Sequence, residues 1–137
     1  MKTSILRFMI PKSLVEYISD KSTVRQALEK MSFHRYTAIP ILNGDGEYVG
    51  TLRNDDILDF FLSQGSFDRV MAEDVCVTEI MSHAQQKPLL HSATLGELIE
   101  CVKEHNFVPI VDDRGCFIGI VLRREVLSYL LKFLEQK

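Results

Sequence analysis

The side chains able to do chemistry in this 137-residue chain are sparse. Its four histidines are His34, His83, His91 and His105. His34 and His105 fall at the expected ends of two related helices, where a cationic side chain suits the helix dipole. Cys76, Cys101 and Cys116 form no C-x-x-C pair and adjoin no histidine cluster, so neither a disulfide framework nor a zinc site is expected. They read as reduced thiols, packed wholly or partly inside. No phosphate-binding G-x-x-x-x-G-K-[ST] loop, G-x-S-x-G elbow or H-E-x-x-H helix is present. A nucleophile, base and metal in one pocket are not expected, and with them independent catalysis.

Arg123-Arg124 is the pair that stands out. Positive charge at a helix start opposes the macrodipole and costs a few tenths of a kcal/mol or more unless something offsets it. Bound phosphate would do so, because exposed helix amides and a guanidinium fork make an anion site. The other reading is a solvated pair, or an ion pair with Asp112, Asp113 or Glu125, worth little at a surface.

An internal repeat positions these residues. Pro40 to Leu58 aligns with Pro109 to Leu127 at an offset of 69, with 5 identities in 19 positions. Chance would give about one. Upstream the offset becomes 71, pairing Thr23 with Thr94 and His34 with His105. Within the first copy, the β-branched and aromatic run Leu14 to Ile18 predicts a short strand. Ser22-Thr23 predicts a helix start, and Val24, Ala27, Leu28 and Met31 recur at helical spacing. Ala38–Leu42 and Tyr48–Leu52, joined by Asn43-Gly44-Asp45-Gly46, predict a hairpin. Asn54 then caps a helix running to about Gln64, with Gly65 as its terminator.

The second copy repeats the order: strand Pro88–His91, helix Thr94–His105, strands Phe107–Val111 and Cys116–Val121, and a helix from about Arg124 to Glu135. The expected architecture is α+β, two β-α-β-β-α repeats. Residues 1–65 hold the first with its lead-in, 66–86 a mostly helical connector, and 87–137 the second. Phe67, Val70, Met71, Val75, Val77, Ile80 and Met81 make the connector a packed segment. Since a unit of about fifty residues buries too little surface to stand alone, the copies are expected to pack about a pseudo-twofold axis.

Composition narrows the class. Sixteen Lys plus Arg against nineteen Asp plus Glu leave a net charge of −3, which attracts neither nucleic acid nor an anionic membrane. The apolar runs fall far short of the roughly 20 residues a spanning helix needs. Arg7 interrupts Ile5 to Ile10, which leaves no signal-peptide core and points to a cytoplasmic protein.

Two copies of strand, helix, hairpin and helix, each with Pro-Ile, a G-x-x-x-G hairpin and an acid-apolar-Leu helix start, resemble a tandem pair of CBS domains. Tyr36-Thr37-Ala38-Ile39-Pro40 is similar to the matching segment of small stand-alone CBS proteins of Gram-positive bacteria, some of which bind cyclic di-AMP. The resemblance implies a regulatory role: uptake of an adenosine compound (AMP, ADP, ATP, S-adenosylmethionine or cyclic di-AMP) in a cleft between the repeats. It also implies a ligand signature, G-h-x-(S/T)-x-x-D. Gly50 to Asp56 keeps the acid as Asp56 and puts Arg53 at the hydroxyl position, where a charged fork can still hold phosphate. Asp56 equally suits the first turn of a helix. Gly119 to Glu125 keeps neither feature, with Leu122 and Glu125 there instead, and Phe107 replaces Ala38. The first site is therefore the expected functional one.

The candidate ligand residues are Leu14, Val15, Glu16, Tyr36, Thr37, Ala38, Pro40, Arg53, Asp56, Arg123 and Arg124. Glu16 has two readings, an acceptor for an adenine amino group or a charge that repels phosphate. Asp56 favours a mononucleotide with a free ribose diol over cyclic di-AMP. The expected function is thus a sensor of AMP, ADP or ATP that alters partner contacts, with no catalysis and no metal. A cyclic di-AMP receptor and a ligand-free interaction scaffold are the alternatives. The wide apolar stripe on the last helix, Val126 to Leu134, predicts a homodimer.

Overall fold

The computed structural model describes residues 3–65, 69–82 and 85–136. The strands are β1 (Met9–Pro11), β2 (Ile18–Ser19), β3 (Ala38–Leu42), β4 (Tyr48–Arg53), β5 (Leu89–Leu90), β6 (Phe107–Val111) and β7 (Phe117–Leu122). The α-helices are α1 (Val24–His34), α2 (Asn54–Gln64), α3 (Arg69–Asp74), α4 (Val77–Ile80), α5 (Leu95–Val102) and α6 (Arg123–Glu135). Contacts divide the chain into two units, Glu16–Gln86 and Met1–Val15 with Lys87–Lys137. This division differs from the repeat boundaries. The lead-in groups with the second repeat, and the connector with the first.

In the Glu16–Gln86 unit, Thr23 starts α1 through a reciprocal cap: its hydroxyl accepts from the Gln26 N–H, and the Gln26 side chain accepts from the Thr23 N–H. Ala27 and Met31 then face a core with Ile18, Ile39, Ile41, Leu52, Ile57 and Val77. Each large aliphatic side chain fully buried there contributes about 1.5–3 kcal/mol before its ordering entropy is subtracted. The sheet runs β2-β3-β4, parallel then antiparallel. The hairpin turns because the Asn43 side-chain carbonyl accepts from the Asp45 and Glu47 N–H groups while Gly46 takes φ 82°. Among the described connector residues, α3 and α4 flank a backbone clasp in which Val24 N–H donates to Val75 C=O and Val77 N–H to Ser22 C=O. Ser66, Phe67, His83 and Ala84 lie outside the described residues.

The other unit repeats these devices. Thr94 and Glu97 cap α5, and the Asp112 carboxylate organises the hairpin turn with Gly115 at φ 83°. Its sheet has the order β1-β7-β6-β5, and Ile5 and Phe8 join Leu98, Val102, Val108, Ile110, Val121 and Val126 in the core. β1 lies antiparallel on β7, pairing Met9 with Val121 and Pro11 with Gly119. In the first repeat the matching edge of β4 carries no strand among the described residues. There the Gln85 side-chain amide imitates one, accepting from the Thr51 N–H at 2.8 Å and donating to the Thr51 C=O at 3.3 Å.

Three sequence expectations shift. The Leu14 to Ile18 run is a strand only from Ile18, because Ile18 and Ser19 alone find neighbours, Ile41 and Leu42. Leu14 instead ends a 3-10 turn, Lys12–Leu14, closed by the Val15 N–H on the Lys12 carbonyl. The cap of α2 is Arg53, not Asn54, since Asp56 reaches back to the Arg53 N–H. Helix α5 stops at Val102, short of His105, where the Arg123 side chain takes the Val102 carbonyl.

Candidate functional site

Strand register decides which candidate residues share a surface. On the β3-β4 hairpin, Ile39 and Leu52 serve the core, so the alternate pairs Ala38·Arg53 and Pro40·Thr51 lie on the opposite side of the sheet. Where β4 passes into α2, the Thr37 carbonyl accepts from the Asn54 N–H at 2.9 Å, and Asp56 accepts from the Arg53 N–H at 2.9 Å. Thr37, Ala38, Arg53 and Asp56 are therefore brought together at one end of the hairpin. Of the two readings of Asp56, the structure shows the helix-start one: its carboxylate caps α2.

The charges there are unevenly satisfied. Arg53 is half-buried, and its guanidinium makes no hydrogen bond or ion pair with a described residue. Its charge is felt by Tyr48, whose phenol shares a 2.6 Å hydrogen bond with the buried Thr51 hydroxyl. Burial pushes the Tyr48 phenol above its ordinary range, against the lowering effects of that bond and of Arg53. Asp56, 9% exposed, opens with Asp59, Ser63 and Glu79 onto a groove of about 500 Å³ between α2 and α4. Three carboxylates around one groove repel phosphate and accept hydroxyl or amine donors. Among the described residues no group of histidines, cysteines and acids could hold a metal ion.

Glu16 has partners that neither of its two sequence readings named. Its Oε1 lies 3.2 Å from Lys30 Nζ and 3.5 Å from His34 Nε2 at the end of α1, so its charge is paired within the unit. The His34 ring in turn stacks on Tyr36, with centroids 5.1 Å apart and planes 14° from parallel. Sequence reasoning missed Lys30, His34, Tyr48, Thr51 and Gln85. Only His34 carried a signal, and it pointed to the helix dipole.

In the other unit, Leu14 is 74% exposed and Val15 half-buried. Arg123 is not a free phosphate ligand: its Nε donates to the Val102 carbonyl at 2.7 Å and its Nη2 to that of Lys103 at 3.4 Å, closing the end of α5. Arg124 is exposed and has no hydrogen bond or ion pair with a described residue. The repeat relation is kept in the backbone, where Arg123 N–H donates to Asn106 C=O as Asn54 N–H does to Thr37 C=O. The side chains differ. Phe107·Leu122 replaces Ala38·Arg53, and the start of α6 has no side-chain cap.

The match to known proteins follows the same two halves. The CBS domain family model fits residues 7–63 and again 71–132. Cyclic di-AMP receptor B of Bacillus subtilis is 26% identical over 140 residues, covering 98% of this chain and 91% of that protein. An uncharacterized Methanocaldococcus jannaschii protein is 28% identical over 127 residues, and the match covers 84% of this chain but only 45% of that protein. Among solved structures, a conserved protein of Geobacillus kaustophilus superposes with a TM-score of 0.87 at 27% identity, covering 96% of this chain and 98% of its own. CBSX2 in complex with AMP superposes at 0.75 and 22% identity, covering 95% and 97%, and shares the fold. With both copies of its repeat matched, this chain belongs to the CBS domain family, as a tandem pair of such domains.

Proposed function

We propose that this CBS pair is a regulatory module that binds an adenine nucleotide (AMP, ADP or ATP) and changes its contacts with a protein partner when occupied. The observation that carries this reading is the contrast between the two hairpins. The first has the small Ala38 paired with Arg53, whose guanidinium is unpaired among the described residues, and the buried carboxylate Asp56 on the Arg53 N–H, whereas the second presents Phe107 and Leu122. Asp56, facing other carboxylates, suits a ribose diol. Arg53, beside Ala38 on the same hairpin, supplies charge for phosphate. CBSX2, of the same fold, is seen with AMP. The module carries out no chemistry of its own. A ligand acts on it only through unequal affinity for two arrangements.

A second reading, a cyclic di-AMP receptor, is favoured by similarity to the Bacillus subtilis receptor over nearly the whole chain. Both readings include a cytoplasmic homodimer. Leu127, Leu131 and Leu134 stand exposed along one side of α6, and a second copy would cover them.

Thermal melting with AMP, ADP, ATP, S-adenosylmethionine, cyclic di-AMP and GTP tests the proposal. A ligand at 100 times its dissociation constant adds about 2.7 kcal/mol of stability. A shift with AMP, ADP or ATP that is lost in Asp56→Asn supports the first reading, and a shift confined to cyclic di-AMP supports the second. No shift with any compound overturns both and leaves a ligand-free scaffold. Light scattering at micromolar concentration reads the dimer, and a monomeric mass refutes it.

A further inference from the structure

We propose that Glu16 and His34 are positioning residues: they hold the Tyr36 ring as a ready stacking face for the flat base of the nucleotide, an inference that rests on the adenine-nucleotide reading above. The support forms one continuous row. Lys30 Nζ is anchored on the Tyr17 carbonyl at 2.9 Å and pairs with Glu16, which pairs with His34 Nε2. The His34 ring lies flat on Tyr36 and receives Phe33 edge-on at 4.9 Å and 86°.

The backbone contributes as well. Arg35 takes φ 59°, a left-handed conformation that turns the chain off α1 and brings Tyr36 back beside His34, with the Tyr36 N–H on the Met31 carbonyl. Tyr36 remains 36% exposed, and its phenol makes no hydrogen bond with a described residue, while its ring face rests on His34. Thr37 and Ala38 follow directly and lead to Arg53. A base on Tyr36 would thus lie next to the polar end of the first hairpin. Fixing an exposed aromatic ring before binding removes an ordering cost the ligand would otherwise meet. This also gives Glu16 a role without contact to either adenine or phosphate.

A double-mutant cycle tests the inference, with dissociation constants for AMP, ATP and cyclic di-AMP measured by calorimetry. His34→Ala and Tyr36→Ala should each weaken whichever of these compounds binds by about three- to tenfold. The double variant should bind no more weakly than Tyr36→Ala alone, because His34 acts through that ring. Glu16→Gln should lose about twofold, and none in the Tyr36→Ala background. His34→Phe, which keeps a flat ring, should restore most of the affinity. Additive losses overturn the inference, and so do losses that grow with phosphate number, which would make His34 a phosphate contact. Unchanged binding in His34→Ala overturns it while leaving the adenine-nucleotide reading standing. No binding by the wild-type chain overturns both.

Discussion

The backbone carbonyl of Ile10 occupies the space that a Cβ on Gly119 would need, and Met9 Cγ lies 2.7 Å from the same point. Gly119 is thus where the lead-in strand is admitted onto β7. Its repeat equivalent, Gly50, meets a softer obstacle, the Met81 Cε at 2.8 Å and the Gln85 side chain. Gly119→Ala must move backbone and part β1 from β7, at a cost of about 2–3 kcal/mol. Gly50→Ala can be relieved by a methionine rotamer and should cost about 1 kcal/mol. Urea denaturation of the two variants checks the order, and equal costs would refute it.

Arg35 is the one described non-glycine residue with positive φ. A side chain there costs about 1 kcal/mol that glycine would not incur. Arg35→Gly should therefore raise stability by several tenths to about 1 kcal/mol, the added freedom of the unfolded chain taking back part of the gain. A lowered melting temperature would mean that the Arg35 side chain makes a stabilising contact.

What could be read from the sequence was local. Asn43 with Gly46, and Asp112 with Gly115, hold their turn instructions within four residues, so both hairpins were legible. Thr23 with Gln26 and Thr94 with Glu97 are equally short-range, and α1 and α5 begin where predicted. The strand expected over Leu14 to Ile18 failed because a β-branched run becomes a strand only where a partner edge is offered. The pairing of Met9 with Val121 and the grip of Gln85 on Thr51 join residues far apart in sequence, and no pattern in either partner announces them. The site shows the same divide. Asp56 and Arg53 were visible through the repeat and a signature segment, whereas the pairing of Glu16 with Lys30 and His34 depends on where β2 enters beside the end of α1. The hold of Arg123 on the end of α5 was not legible, because a helix-start arginine looks alike whether it awaits an anion or reaches back to the carbonyls of the preceding helix.

Glu97 gives the stability an acid limb. Its carboxyl is held below the usual carboxylate range, first by the hydrogen bond from the Thr94 backbone N–H and second by that from the Thr94 hydroxyl. A group whose pKa is lowered on folding contributes stability while ionised, and that contribution disappears as pH falls through the folded-state value. The melting temperature of Glu97→Gln should therefore fall less steeply than that of the wild type below about pH 5. Helix α1 provides the control, since its cap uses the neutral Gln26. Gln26→Glu should add the acid sensitivity that Glu97→Gln removes. Parallel melting curves for all three proteins would refute the assignment.

Arg123 and Arg124 should part company on mutation although they are neighbours of the same type. Removing the Arg123 side chain leaves the Val102 carbonyl without its charged donor and should cost about 1.5 kcal/mol, ligand or no ligand. Arg124 has no such partner among the described residues and stands against the positive end of α6. Arg124→Ala should raise the stability of the free protein by about 0.3 kcal/mol. If Arg124 meets phosphate, the same variant must lower the stabilisation that a nucleotide confers, and lower it more for ATP than for AMP. The two measurements have opposite signs, which separates a ligand contact from a contribution to folding. A gain in the free protein with an unchanged nucleotide shift would leave Arg124 a solvated surface charge and assign the phosphate to Arg53 alone.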